Sequence, residues 1–324
     1  MNKKDKIFLT GHNGLVGDAF LKEMGSLSFK NIVTFSKSQL DLTDQKKLEK
    51  IFKKEKFDHL FICAAKVGGI WSNSQNPWEF ASINVEILLN LLKLSHKYKL
   101  KKVCVLGSSC IYPKKNKIPI KESSILSGYL EKTNEAYALA KIMGLKMAES
   151  LILQKKMDIR CFMPCNIYGT NDKFFDENNN HVIPAMFRRF DLAKDNNSKS
   201  VTIWGDGKPK REFCYANDLA KNILRCMMIG KTRFYKNIGN NYFYNVGSKE
   251  EITIKKLAYI VKKIVGFKGK VVFDSSKPNG TMRKFISKDK ISRLIKLNNS
   301  NFELTMKDTY NAYLNEKKRN TNFK

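Results

Sequence analysis

The strongest constraint on this chain is its rhythm. Short apolar runs alternate with stretches of helical period through the first half. Strand-like segments lie at Lys6 to Thr10, Asn31 to Ser36, His59 to Ala65, Lys102 to Ser109 and Ile159 to Pro164. Between them, helices are predicted from about Leu15, and over Leu42 to Lys56, Pro77 to Tyr98 and Asn134 to Gln154. Strands that are apolar throughout, rather than alternating, are covered on both faces. Helices between them supply the cover, and right-handed crossovers make the sheet doubly wound. The sequence therefore predicts an α/β fold on a parallel sheet. After about Asn166 the rhythm breaks into an Asn-rich loop, Asn171 to His181, followed by short strands and helices at 201–204, 218–228, 243–246, 254–265 and 271–274. These predict a smaller C-terminal α+β part, with some segments returning to the main sheet. The division is placed between residues 1–165 and 166–324. The charged residues from about Glu316 onward are predicted to fray.

The turn after the first strand narrows the class. Gly11, Gly14 and Gly17 join that strand to the first helix in the run Gly11-His12-Asn13-Gly14-Leu15-Val16-Gly17. Glycines there permit a tight turn and a close backbone approach to a pyrophosphate, which the helix N-terminus also attracts. The spacing is GxxGxxG and its position between strand and helix gives it meaning. It predicts a Rossmann-like dinucleotide site. The second strand ends Thr34-Phe35-Ser36-Lys37, with no acidic residue before Asp41. An acidic group here serves the ribose of NAD, whereas Lys37 suits a 2′-phosphate. The predicted cofactor is NADP(H), with Asp41 and Leu42 among the residues lining it.

Two further groups carry chemistry. Tyr137 and Lys141 are four apart on a predicted helix and so share a face. A phenol with an unperturbed pKa near ~10 is a poor acid alone, and a nearby ammonium favours its ionised form. Ser108, Ser109 and Cys110 end the fourth strand, where doubly wound sheets bind ligands. If the chain stays extended there, Ser108 and Cys110 point to one side. Ser108 can then bond a substrate carbonyl, and Cys110 can act as a base if its thiol ionises.

Seven marks in order along the chain resemble the GDP-L-fucose synthase family, part of the extended short-chain dehydrogenases/reductases. They are Gly11 to Gly17, Ala64-Ala65-Lys66-Val67-Gly68-Gly69, Gly107-Ser108-Ser109-Cys110-Ile111-Tyr112-Pro113, Tyr137 to Lys141, His181-Val182-Ile183-Pro184-Ala185, Trp204-Gly205 with Arg211-Glu212-Phe213, and Val271 to Asp274 with Ser276-Lys277-Pro278. The resemblance implies epimerisation at C3 and C5 of GDP-4-keto-6-deoxy-D-mannose, then reduction of the C4 ketone with NADPH. It implies Cys110 as base, His181 as the acid on the other face, and Tyr137 as proton donor to the C4 oxygen, supported by Ser108 and Lys141. It places Leu106, Gly107, Ser108, Ser109, Lys141, Pro164, Cys165, Asn166, Ile167 and His181 at the cofactor. It places Arg189, Trp204, Arg211 and Asn279 at the GDP-sugar, in the smaller part, and implies a homodimer packed through the helices at 77–98 and 134–154. Asn13 stands where the family often has Arg, and Asn279 where Asp is expected. These departures bear on cofactor preference and on the sugar.

Composition limits the rivals. The net charge is +30, yet only nine of the 60 basic residues are arginine, none before Arg160. Lysines spread along the whole chain read as a solvated surface rather than a base-reading face. No specific nucleic acid is expected, though a basic field gathers polyanionic small molecules. Seven scattered cysteines without a CxxC pair argue against a disulfide framework or a metal site. No apolar run reaches the roughly 18 residues of a membrane span, and the charged N-terminus lacks a signal-peptide stretch, so a cytoplasmic protein is expected. The nearest rival is C4 reduction of another GDP-4-keto sugar, such as a 6-deoxy-heptose, without epimerisation. A UDP-sugar 4-epimerase shares Ser and YxxxK but has no use for Cys110. A non-enzymatic nucleotide or RNA binder has no use for the five groups together.

Overall fold

The predicted parallel sheet is present strand by strand. The computed structural model describes residues 1–176, 181–277, 279 and 281–321. Its first half runs β1 (Ile7–Thr10), α1 (Leu15–Ser26), β2 (Ile32–Val33), α2 (Gln45–Glu55), β3 (His59–Ile62), α3 (Ile70–Gln75), α4 (Pro77–Lys97), β4 (Lys102–Leu106), α5 (Glu135–Lys155) and β5 (Ile159–Pro164). The second half runs β6 (Asn166–Tyr168), α6 (Val182–Asp195), β7 (Ser200–Trp204), β8 (Lys210–Tyr215), α7 (Ala216–Met228), α8 (Lys231–Tyr235), β9 (Phe243–Val246), β10 (Glu251–Thr253), α9 (Ile254–Val265), β11 (Lys270–Asp274), β12 (Arg283–Lys284), α10 (Asp289–Ser292) and α11 (Phe302–Thr321).

The main sheet has the order β2-β1-β3-β4-β5-β9, parallel at every pairing. The chain steps from β1 outward to β2, then returns to the other side of β1 as β3. Order reverses between β1 and β3, so the crevice for a ligand opens at their carboxyl ends. Several strands end earlier than their apolar runs. β3 stops at Ile62 because the Thr10 hydroxyl takes over from the ladder, accepting the amides of Cys63 and Ala64 at 3.2 and 3.3 Å. β2 is an edge strand, and the chain leaves it through a turn in which Leu40 N bonds Ser36 O at 2.9 Å.

Helix ends follow local chemistry. Asp44 caps α2 by accepting Lys47 N at 3.0 Å, and Thr253 caps α9 by accepting Lys256 N at 3.0 Å. Gly266, at φ +75°, closes α9 in the left-handed conformation.

Two apolar cores organise the molecule. The larger lies under the main sheet and takes in α7, α8, β9 and the residues around α10. The smaller gathers Tyr168, α6, β7, α9 and α11. The chain crosses between the cores several times. Around the smaller core, β8 lies between β10 and β12 and also pairs with β6, while β7 and β11 form a separate parallel pair. Within the larger core, the fully buried Arg160 makes two 2.8 Å bonds to the Asp158 carboxylate and lies 4.4 Å from the Phe234 ring.

The fraying expected from Glu316 is corrected. α11 continues to Thr321, because Lys317 reaches the carboxylates of Asp191 and Asp195 on α6. The hydroxyls of Tyr310 and Tyr313 donate to the same Asp191 at 2.7 and 2.9 Å. Among the described residues, no helix is long and apolar enough to cross a membrane, and no cluster of metal-ligating side chains occurs. All seven cysteines are unpaired.

Candidate active site

At the carboxyl end of β1 the glycine turn is built for close approach. Gly11 sits at φ +70°, and a Cβ there would lie 2.7 Å from Ala64 N. A Cβ on Gly17 would lie 2.0 Å from Gly11 O, so the turn tolerates no side chain at either place. Gly14 is the N-cap of α1 and offers no side-chain cap, which leaves the helix N-terminus for an anion. His12 Nδ1 is buried without a hydrogen-bond partner, while Leu15 and Val16 pack against the core. An orphaned nitrogen beside an uncapped helix terminus fits the pyrophosphate of a dinucleotide. Asn13 is exposed, and its carbonyl accepts Asn171 Nδ2 at 3.1 Å. Lys37 is exposed beyond β2. The Asp41 carboxylate accepts the Thr43 amide and hydroxyl at 2.9 and 2.8 Å, bonds that hold it below its usual range, with Lys37 adding to the effect. Leu42 stands next to it, its carbonyl taking Asn90 Nδ2 at 3.1 Å.

β4 and β5 deliver the next two segments to the same edge. Gly107 N bonds Phe162 O at 2.9 Å, and the Met163 sulfur lies 2.2 Å from where a Gly107 Cβ would be. Pro164 ends β5; Cys165 N bonds Val246 O at 3.1 Å, and Asn166 Nδ2 bonds Glu212 O at 3.1 Å. Ile167 follows on β6, paired with Cys214. Burial pushes the Cys165 thiol well up, so it is an inert core group.

Ser108, Cys110, Tyr137 and Lys141 converge. Strand geometry ends at Leu106, and Ser109–Ile111 forms one 3-10 turn, which corrects the extended conformation expected there. Ser108 caps that turn, its Oγ accepting Cys110 N at 3.3 Å. α5, which carries Tyr137 and Lys141, packs directly against this turn, and Ser108 favours the ionised forms of both the Tyr137 phenol and the Cys110 thiol. Lys141 Nζ donates to Leu106 O at 3.2 Å and lies 5.6 Å from the Tyr137 ring centre. Burial lowers the Lys141 pKa to about 8. Burial also raises the Tyr137 phenol, opposite to the lowering expected from its lysine. The phenol therefore stays protonated at neutral pH, as a proton donor must. Burial raises the Cys110 thiol too, with the Lys284 ammonium, the Ser108 bond and Lys141 pulling the other way.

The smaller core holds the remaining expected residues. His181 is an exposed residue at the N-cap of α6, its imidazole lowered by desolvation and by Lys173. Asn178 to Asn180, expected beside it, and Pro278 lie outside the described residues. Arg189 Nη1 donates to Thr202 O at 2.9 Å. Trp204 ends β7 with 64% of its surface exposed, so it is no core tryptophan; Lys277 Nζ is 6.0 Å from its ring. Arg211 bonds Lys210 O at 2.9 Å, and burial lowers its guanidinium. Asn279 Oδ1 accepts Asp206 N at 2.8 Å and braces the Gly205 turn.

Three residues escaped the sequence reading. Asn84 bonds both the amide and carbonyl of Lys66 at 3.0 Å, and Asn73 Nδ2 bonds Gly68 O and Gly69 O at 2.8 and 3.0 Å. Together they fix the Ala64 to Gly69 loop; polar residues at helix positions facing the protein interior were the available signal. Lys284, on the two-residue β12, had no signal among so many lysines.

The comparisons agree with this geometry. The family model described as "NAD dependent epimerase/dehydratase family" matches residues 7–247. The chain is 43% identical to "Putative GDP-L-fucose synthase 2" of Arabidopsis thaliana, over 97% of this chain and 93% of the relative. It is 38% identical to the "GDP-L-fucose synthase" of Escherichia coli strain K12, over 98% of each. A solved GDP-mannoheptose C4 reductase from Campylobacter jejuni with NADP bound superposes at a TM-score of 0.88 with 32% identity, over 97% of this chain and 99% of the other. The glycine cradle, the serine-phenol-lysine group and these full-length matches place the chain in the NAD-dependent epimerase/dehydratase family, among the GDP-L-fucose synthases.

Proposed function

We propose that this enzyme converts GDP-4-keto-6-deoxy-D-mannose to GDP-L-fucose. The observation that carries the reading is that α5, bearing Tyr137 and Lys141, packs directly against the turn bearing Cys110, with Ser108 at its cap. A simple ketone reductase uses the phenol. The thiol beside it supplies a second function, proton abstraction next to the same ketone.

Carbons flanking a ketone are acidic, because the electron pair left behind moves onto the carbonyl oxygen. Cys110, as thiolate, removes the proton at C3 or C5, and Ser108 holds the oxygen that gains charge. His181 returns a proton from the opposite face, inverting the centre. Its lowered pKa leaves the imidazole mostly neutral at pH 7, so it donates from a minor protonated fraction. NADPH, when bound, supplies the hydride for C4. Tyr137 then gives its proton to the C4 oxygen, and Lys141 holds the nicotinamide ribose. Arg189 and Arg211 face the diphosphate, for which a guanidinium fork provides two donors, while Trp204 and Asn279 border the sugar nucleotide. Lys37 takes the 2′-phosphate.

The apolar outer side of α5 supports a homodimer: Leu139 and Met143 are 51% and 52% exposed, although Ala138, Ile142, Leu145 and Ala148 fill its inner side. The unpaired cysteines fit a reducing cytoplasm.

C4 reduction of a GDP-heptose without epimerisation is the second reading, favoured by the close superposition on the Campylobacter reductase. Reaction of GDP-4-keto-6-deoxy-D-mannose with NADPH in D₂O separates the two. Exchange at C3 and C5 makes the reduced product heavier by about two mass units at carbon. A reduced product without carbon-bound deuterium means a C4 reductase only.

A further inference from the structure

The turn that carries Cys110 is closed only loosely by its own bonds. Cys110 N reaches Ser108 Oγ at 3.3 Å, Ile111 N reaches Ser108 O at 3.2 Å, and Tyr112 N reaches Ser109 O at 3.4 Å. Such bonds lie at or beyond the long end of the N–H···O range, roughly 2.7–3.2 Å. A turn this short and this weakly closed does not fix a sulfur by itself. Yet Ser109, Cys110 and Ile111 are all buried, so the turn is held from outside.

Asn245, a fully buried residue on β9, provides that hold. Its side-chain oxygen accepts the hydroxyl of Tyr112, two residues after Cys110. Its Nδ2 donates to Ile120 O at 3.1 Å, and its backbone N donates to the Glu122 carboxylate at 3.1 Å. One strand residue thus pins the loop leaving the Cys110 turn at Tyr112, Ile120 and Glu122. Tyr112 and Glu122 are buried, so water does not compete for these bonds. Tyr112 is extended, with ψ 145°, as the following Pro113 requires, which leaves little play between the pinned ring and the turn. The far end of the loop is held as firmly: Ile120 N bonds Phe285 O at 2.8 Å, and Ser287 N bonds Ile120 O at 2.7 Å. β9 pairs with β5, which sets Asn245 opposite Met163. α5, which carries Tyr137, packs against β5 and against the Cys110 turn. The phenol is therefore referred to this edge of the sheet through its helix, and the thiol through Tyr112 and Asn245.

We propose that Tyr112 and Asn245 are positioning residues for the base: they fix the Cys110 sulfur relative to the Tyr137 phenol and so set how much proton abstraction accompanies reduction. A buried amide oxygen that loses its donor bears the full cost of its desolvation. Removing the Tyr112 hydroxyl therefore strains the closed turn and leaves the ladders of the sheet intact. The turn then opens more often, exposing a thiol that is 7% exposed when closed. A base that must meet a C–H bond in line is sensitive to small displacements. The phenol, carried on a long packed helix, is affected much less. The inference rests on Cys110 being the base in the proposed function.

The test uses Tyr112→Phe, which removes one oxygen and keeps the ring. The full-length protein is alkylated with iodoacetamide at pH 8 without substrate, and the peptides carrying Cys110, Cys104 and Cys161 are followed by mass spectrometry. Alkylation of Cys110 is expected to rise by about tenfold, the factor that corresponds to one lost buried hydrogen bond. Cys104 and Cys161, buried on β4 and β5, are expected to keep their wild-type rates. With GDP-4-keto-6-deoxy-D-mannose and NADPH in D₂O, deuterium exchange at C3 and C5 is expected to fall by about tenfold with KM unchanged. Reduction of an already epimerised 4-keto sugar is expected to fall much less. A Cys110 rate equal to wild type overturns the proposal. Equal rises at all three cysteines, or exchange and reduction falling together, also overturn it and make the Tyr112–Asn245 bond a general stability contact. Wild-type protein that shows no exchange removes the proposed substrate, and the rise confined to Cys110 then still decides the positioning role.

Discussion

The two sides of the cleft are built on different terms. The side formed by β4 and α5 is sunk in the larger core. Lys141 and Ser109 are buried, Ser108 is half-buried, and desolvation raises Tyr137 and Cys110 and lowers Lys141. The side formed by α6, β7 and β8 stands over the smaller core. Arg189 and Trp204 are exposed, and Arg189 and Arg211 bond backbone carbonyls rather than carboxylates. Rigid burial suits groups that must hold one protonation state. Open cations suit a charged substrate that arrives hydrated and leaves again. In the proposed function, chemistry falls where side chains are buried and capture where they are open.

Tyr137→Phe is the largest blow to the buried side. Loss of a positioned acid costs about 10² to 10⁴ in rate. NADPH oxidation should fall by that factor, while deuterium exchange at C3 and C5 continues. Equal loss of both would show that the phenol and thiol do not act separately, and the division within the buried side would go.

Arg211→Ala tests the open side. KM for the GDP-sugar should rise by about 10- to 100-fold with kcat within a few-fold, the pattern of uniform binding lost. NADPH affinity, measured by fluorescence titration, should stay unchanged. A fall in kcat as large as the rise in KM would make Arg211 part of the chemistry and blur the comparison.

The smallest effect is on stability, and its sign is opposite to the effect on activity. The Lys141 pKa is about 8 in the fold against 10.5 for an ordinary lysine. A group lowered on folding is strained in its charged form. The strain is full below about pH 8 and vanishes as pH rises toward 10.5. Lys141→Met should therefore raise Tm at pH 7 by a few degrees, the scale of about 1 kcal/mol or more in a protein this size. The gain should shrink above pH 10. NADPH binding to the wild type should weaken as pH rises through 8 and be weak and flat in the variant. A lower Tm at pH 7 would mean that the bond to Leu106 O outweighs desolvation.

Much of this was legible along the chain. The run of buried strands dictated a parallel sheet, since apolar residues on both faces of a strand leave no face for water. Gly11 and Gly17 announced a turn without room for Cβ atoms, and Tyr137 with Lys141 announced one helix face. Such patterns depend on neighbours within a few residues, so sequence carries them directly. Failures were also physical. The Ser109–Ile111 turn looked like more strand because its residues are apolar or small. The C-terminal charges looked like a frayed tail, whereas Lys317 finds Asp191 more than a hundred positions away.

What the sequence by itself determined, then, is the sheet and the glycine turn, both set by short-range periodicity and backbone permission. The tertiary structure alone decided that the turn bearing Ser108 and Cys110 packs against the helix bearing Tyr137, and that burial keeps the phenol protonated. Charge and desolvation act through space, and their strength depends on which distant strands the fold brings side by side.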